Sequence, residues 1–209
     1  MRMQAEGGVG VMSYTWDVFI SYRRTYNVRD WVRNHLHPVL ERCLEDEMDH
    51  APQVFLDRQM EVGSYWPDEL AQALSATRYM LAVWSPPYFT SSWCVAEWRT
   101  MLAREQLLGI PGQGQTLGLI YPVVFADGDS FPDEAQAVQS RYDLSEYGFP
   151  YEQFNRTDAY LEFHMKVRSI AADLAQRIAD PPPWQSDWPV YRPDPFPLPP
   201  AALPRLGAP

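Results

Sequence analysis

The sequence predicts an α/β domain, a five-stranded parallel sheet with helices on both faces. Two observations carry this. Short apolar runs, such as Val18-Phe19-Ile20 and Met80-Leu81-Ala82-Val83-Trp84, alternate along the chain with stretches of helical periodicity. Strands that alternate with helices build parallel sheets covered on both sides. The runs are also apolar without a polar alternate, the pattern of strands buried on both faces. The composition is globular, with 46% hydrophobic residues in a chain of 209, enough for one ordinary domain and some length besides.

The first strand is Asp17-Val18-Phe19-Ile20-Ser21-Tyr22-Arg23-Arg24, in which apolar residues precede a polar carboxyl end. Asn27 is expected to cap the next helix, and Asp30 suits its positive start. Trp31, Val32, Leu36, Val39, Leu40, Cys43 and Leu44 mark the buried face, and Pro38 is expected to kink or split the helix before an acidic exit at Glu45 to Asp49. A short second strand, Gln53 to Leu56, ends at Asp57-Arg58. The following loop, Gln59 to Trp66, holds Gly63, Tyr65 and Trp66. A helix then opens near Pro67, with Asp68 and Glu69 at its positive end.

The third strand, Met80 to Trp84, stops at Ser85-Pro86-Pro87, because proline cannot continue a buried ladder. Ser91 or Ser92 is placed to cap a helix running from about Trp93 to Gln106. Glu97 lies four residues after Trp93, three after Cys94 and four before Met101. Those spacings put a carboxylate on an apolar ridge. Periodicity alone leaves two readings open: a solvated edge of the stripe, or a functional carboxylate. Position favours the second, since open α/β sheets place ligands at the carboxyl ends of their strands.

Gly109 to Gly114 connects to a fourth strand, Leu117 to Phe125. A short helix is expected at Asp133 to Gln139 and a fifth strand at Arg141 to Leu144. An amphipathic helix follows from Asp158 to Ala179, with Leu161, Val167, Ile170, Leu174 and Ile178 as its stripe. Five such units make a small doubly wound domain of the flavodoxin-like type. Beyond Asp180 more than a third of the residues are proline, so an extended or polyproline II tail is expected. Its aromatics Trp184, Trp188, Tyr191 and Phe196 either lie back on the domain or anchor a partner.

Several function classes are excluded. A net charge of −10 without a basic patch argues against nucleic-acid binding. Cys43 and Cys94 form neither a disulfide framework nor a zinc site. His35 and His37, two apart on a helix, point to different sides and cannot share a metal, and no metal site is expected. The glycine-rich Gly112 to Gly118 precedes a strand, whereas a dinucleotide fingerprint follows one. Cys94 has a helix start to lower its pKa but no histidine beside it, which marks a packing residue. No signal peptide or membrane span is evident, so a cytoplasmic protein without membrane contact is expected.

Asp17 to Arg24 resembles the opening motif of Toll/interleukin-1 receptor (TIR) domains. Leu56-Asp57, the loop with Gly63, and Ser85-Pro86 followed by Trp93-Cys94-Val95-Ala96-Glu97 fall where that family has its later motifs; Asp143 to Tyr147 is similar to a late segment of some bacterial members. The resemblance implies a TIR domain at 15–180, flanked by an extension at 1–14 and the proline-rich aromatic tail at 181–209.

That family contains both scaffolds and enzymes that cleave the nicotinamide–ribose bond of NAD. Trp93 and Glu97 match the tryptophan–three–glutamate arrangement of the enzymes, which implies Glu97 as the catalytic carboxylate. The expected substrate-binding residues are Trp93 beside the nicotinamide riboside, Arg23 and Arg24 at the pyrophosphate, and Tyr22, Ser85, Asp57 and Trp66 around the pocket. For Arg24 a solvated strand exit is the equal alternative, and for Ser85 a turn cap. NAD would be a substrate, and no cofactor is implied. The loop of Asp57, Arg58, Tyr65 and Trp66 is expected to gate the pocket and mediate TIR–TIR self-association, with a separate sensor protein as a further partner. An anti-phage defence enzyme making ADP-ribose or a cyclic ADP-ribose is the first reading. A non-catalytic TIR interaction module, docking a partner through its tail, is the second.

Overall fold

The computed structural model describes residues 13–56, 66–110, 118–126, 131–136 and 142–193, the side chains of 66 and 67 apart. Its strands are β1 (Trp16–Tyr22), β2 (Val54–Leu56), β3 (Thr77–Trp84), β4 (Ile120–Val124) and β5 (Tyr142–Asp143). They pair in the order β2-β1-β3-β4-β5, every pair parallel. This is the five-stranded order of the expected α/β architecture. β3 sits in the middle, and Met80 to Trp84 are all fully buried, which is why that run carries no polar alternate.

The helices are α1 (Tyr26–Trp31), α2 (His37–Glu47), α3 (Trp66–Ser75), α4 (Pro86–Phe89), α5 (Ser92–Leu108), α6 (Asp133–Gln136) and α7 (Asp158–Ala179). Right-handed parallel crossovers put α2 on one face and α3 and α5 on the other. α7 packs against α2, so it shares that face. Trp31 bridges the layers, its ring edge-on to Phe125 and Phe163.

Local details differ from the expectations in five places. Thr25, not Asn27, precedes the first helix, and its carbonyl takes the Arg29 N–H at 2.9 Å. Pro38 does not break the helix. The strain is absorbed upstream by a π-helical segment, Val32–Leu36, which continues directly into α2. A wider turn relieves the clash between a proline ring and the carbonyl four residues back. Leu161 is exposed, and Phe163 takes its place on the α7 stripe with Val167, Ile170, Leu174 and Ile178. Two residues on a helix are about 200° apart, so 161 and 163 cannot share a face. The prolines after β3 do more than end the strand: they start a short helix, α4, where only a turn is expected. The last two strands are shorter than expected.

Both ends of α5 are set by local chemistry. Ser91 accepts the Cys94 N–H at 3.4 Å at its start. At its end Gly109 adopts φ 68°, a left-handed conformation that only glycine takes cheaply, and Ile110 N–H closes on Glu105 O at 2.8 Å. The Glu105 carboxylate then receives the Leu119 and Ile120 N–H groups at 2.6 and 3.1 Å, so α5 also seats the start of β4.

The tail lies back on the domain over its described part. Trp188 is buried, with the Arg104 guanidinium 4.6 Å from its ring centroid and the Tyr14 ring 5.7 Å away. The Tyr191 N–H donates to Thr100 Oγ1 at 2.9 Å, Trp184 Nε1 donates to Ser75 O at 3.1 Å, and Arg192 pairs with Asp68 at 2.6 Å. The strap therefore ties α3 to α5.

Candidate functional site

β1 and β3 run side by side in register, with Ser21 opposite Ala82 and Tyr22 opposite Val83. The two strands consequently end together. Their continuations, Arg23 and Arg24 beyond β1 and Ser85, α4 and α5 beyond β3, must converge at one edge of the sheet. Glu97, in the second turn of α5, reaches back to β1. Its Oε2 accepts the Ser21 hydroxyl at 2.5 Å, and Ser21 Oγ lies 2.8 Å from Tyr88 Oη on α4. All three side chains are buried.

This burial overturns the solvated-edge reading of Glu97, which is only 7% exposed. Desolvation raises its carboxyl to about 7; the Ser21 hydrogen bond and the Arg24 charge pull the other way without cancelling it. Such a group changes charge near neutral pH. Among the described residues the hydrogen bond to the Glu97 carboxylate falls on Oε2.

Arg23 is exposed, and its Nη1 donates to Ser91 Oγ at 3.1 Å, which ties the end of β1 to the start of α5. Arg24 is half-buried and close enough for its charge to act on Glu97. Tyr22 is buried, and burial raises its hydroxyl pKa with Arg24 and Glu97 among the charges it feels. Ser85 is buried at the end of β3. Its side chain makes no cap to α4, and its Oγ has no hydrogen-bond partner among the described residues. Trp93 is half-buried against the core at the start of α5. Asp57 lies outside the described residues, as do Arg58 and Tyr65. Trp66 opens α3, but its side chain is likewise outside them.

Ser21 and Tyr88 meet the Glu97 carboxylate, and the sequence motifs do not single them out. A signal exists for Ser21: it is the first hydroxyl after the apolar run Val18-Phe19-Ile20 of β1, and a buried hydroxyl needs a partner. Nothing local marks Tyr88. Cys94 is pushed up to about 12, first by burial and then by Glu97, so the helix start does not win there. His35 is buried, its Nε2 3.1 Å from Tyr151 O, and burial lowers its pKa. Among the described residues no group of three or more metal-ligating side chains forms.

Comparison with known proteins places these features in a family. A family profile described as TIR domain matches residues 18–156. The TMV resistance protein N of Nicotiana glutinosa is 32% identical over 85 residues, a stretch covering 40% of this chain and 7% of that protein. The chain thus spans a small part of that relative's length. Among solved structures, the TIR domain of the Toll-related receptor TRR-2 from Hydra magnipapillata aligns at 19% identity and TM-score 0.44, covering 74% of this chain and 99% of that one. The TIR domains of the activated Roq1 resistosome, which recognizes the pathogen effector XopQ, align at 20% identity and TM-score 0.37, covering 78% and 84%.

Proposed function

The chain belongs to the TIR domain family, and from that premise we propose that it cleaves the nicotinamide–ribose bond of NAD. The single observation that carries this reading is Glu97, a buried carboxylate that titrates near neutral pH at the carboxyl end of the sheet.

The chemistry suits one carboxylate. Ordinary glycoside hydrolysis needs a second carboxyl to protonate the leaving group. Nicotinamide is already cationic in NAD; when the C–N bond breaks, the electron pair goes to the ring nitrogen and a neutral molecule departs. The charge left on the ribose is an oxocarbenium cation. Ionised Glu97 lies in a low-dielectric site, where a fixed negative charge stabilises that cation far more than water would. Water then captures the sugar and loses a proton to give ADP-ribose, or an adenine nitrogen captures it to give a cyclic ADP-ribose.

Binding falls to the cations. The chain carries a net charge of −10, so a dianionic pyrophosphate needs local compensation, which Arg23 and Arg24 supply through charge-assisted hydrogen bonds. Trp93 offers an apolar surface to the nicotinamide riboside, and Tyr22 and Ser85 line the same end. Asp57 and Trp66 bound the loop through which neighbouring copies assemble and complete the pocket. One relative is named for resistance to TMV, which agrees with a role in defence against infection, and anti-phage immunity is the form of it the resemblance implies. A separate sensor would gather the chains.

The test is NAD consumption with product identification by chromatography, at high protein concentration with a crowding agent. Wild type should release nicotinamide. Glu97→Ala should lose on the order of a hundred- to a thousandfold in rate, the usual cost of removing a transition-state charge partner. No turnover by folded, assembled wild type would sink the enzyme reading and leave a TIR interaction module.

A further inference from the structure

We propose that Ser21 and Tyr88 form a hydroxyl relay that orients the Glu97 carboxylate and keeps it ionised, making both of them positioning residues for the reaction. The catalytic consequence rests on the NAD-cleaving reading above; the relay itself does not.

Hydrogen counts set the direction of the relay. An ionised carboxylate only accepts, so Ser21 must donate to Glu97 Oε2. A serine hydroxyl has one hydrogen, and that bond uses it. The contact between Ser21 Oγ and Tyr88 Oη, at 2.8 Å, must therefore have the phenol as donor. The donors run from Tyr88 to Ser21 to Glu97. The last step, at 2.5 Å, has the length of a charge-assisted O–H···O⁻ bond.

Reversal is costly. If Glu97 carried a proton on Oε2, the three side chains would hold three hydrogens for two contacts, so either the Ser21 or the Tyr88 hydrogen would need another acceptor. Both hydroxyls are buried, and among the described residues neither makes a further side-chain hydrogen bond. An unpaired buried donor is expensive. The two hydroxyls thus disfavour a proton on Oε2, and the Ser21 donation favours the charged form of Glu97 against the desolvation that opposes it.

Among the described residues, the charged and titratable groups coupled to Glu97 include Arg24 and Tyr22 from the end of β1, Tyr88 from α4 and Cys94 from α5 itself. Tyr88 and Cys94 are both held neutral by burial. Arg24 supplies charge, and the Ser21 hydrogen bond ranks ahead of it among the influences that favour the carboxylate. Geometry adds a second role. Ser21 is held by a central strand and Tyr88 by α4 after the neighbouring one, so the pair pins Oε2 between two elements of the fold.

The test titrates Glu97 with and without substrate. Carbon-13 NMR of the side-chain carboxyl, assigned by the signal missing in Glu97→Gln, reads its midpoint in the free protein. Ser21→Ala should raise that midpoint by about one pH unit, and Tyr88→Phe by a smaller amount in the same direction. Ser21→Thr, which keeps the hydroxyl, should restore it. In the NAD assay the acid limb of kcat/KM should move by the same interval, with a loss of about tenfold below the midpoint that recovers at high pH. A purely structural role would depress activity equally at every pH. Unchanged midpoints in Tyr88→Phe and in Ser21→Ala overturn the relay. Should wild type not consume NAD at all, the NMR titration still decides the relay, and only its catalytic consequence goes.

Discussion

The Arg104 guanidinium lies 4.6 Å from the ring centroid of Trp188, so a residue of the proline-rich tail caps a buried cation of the helix that carries Glu97. Arg104 has no solvent exposure. Its Nη1 and Nη2 donate to Thr77 O at 3.4 Å and Leu74 O at 2.7 Å. Burial lowers its pKa to about 10, still far enough above neutral to keep it charged. The ring face of Trp188 is then its electrostatic cover.

Removing that cover should destabilise the fold. Trp188→Ala is expected to cost on the order of 3 kcal/mol, from lost apolar burial and the lost cation–π contact. Urea unfolding would show a lower midpoint with little change in slope. An unaltered midpoint would mean that the strap contributes nothing to the domain it lies on.

Glu97 should trade stability for function. Its folded pKa, about 7, lies above the ordinary 4.5, so the folded state binds more protons than the unfolded state between those values. Stability therefore falls as pH rises through that window, and the full cost is present above about pH 7. Glu97→Gln should accordingly be the more stable protein at pH 8 by about 3 kcal/mol, with most of the gain gone at pH 4.5. Denaturant midpoints at the two pH values check this. A gain independent of pH would show that the carboxyl titrates normally.

Cys94 should be inert in the native protein. With its thiol at about 12 and its side chain buried, the thiolate fraction at pH 8 is on the order of 10⁻⁴. Iodoacetamide labelling and mass spectrometry should find Cys94 modified only as fast as the domain opens, and at once in denaturant. Rapid native labelling would mean that the helix start outweighs burial after all.

Assembly, if it completes the pocket through the loop bounded by Asp57 and Trp66, should make activity depend on concentration. Specific NAD cleavage is expected to fall steeply over roughly a hundredfold dilution, as mass action disperses the complex. Constant specific activity across that range would rule out a pocket shared between copies.

Much of the fold is legible in the sequence because its signals are local. The apolar run of β3, the Ser91 cap and the Asp158 to Ala179 helix each depend on neighbours within a turn or two. Leu161 misleads for an equally local reason, since it fits an apolar list but not the angle of the stripe. Pro38 shows the opposite case. A disturbance of the helix is foreseeable there, but the π-helical relief upstream depends on packing that holds the helix whole.

The candidate site divides along the same line. Sequence alone determined that a carboxylate would stand on the helix after the central strand, because spacing along one helix decides which side chains share a face. It could not decide whether Glu97 was wet or buried, nor that Ser21 and Tyr88 would meet it. Those contacts join positions 76 and 67 residues apart. Only the parallel pairing of β1 with β3, and the turn beyond each, brings them together. The same holds for the tail, whose aromatics admit two readings until Trp188 is set against Arg104. Desolvation belongs to the assembled fold and to no single residue, and it is desolvation that moves the Glu97 carboxyl into the neutral range.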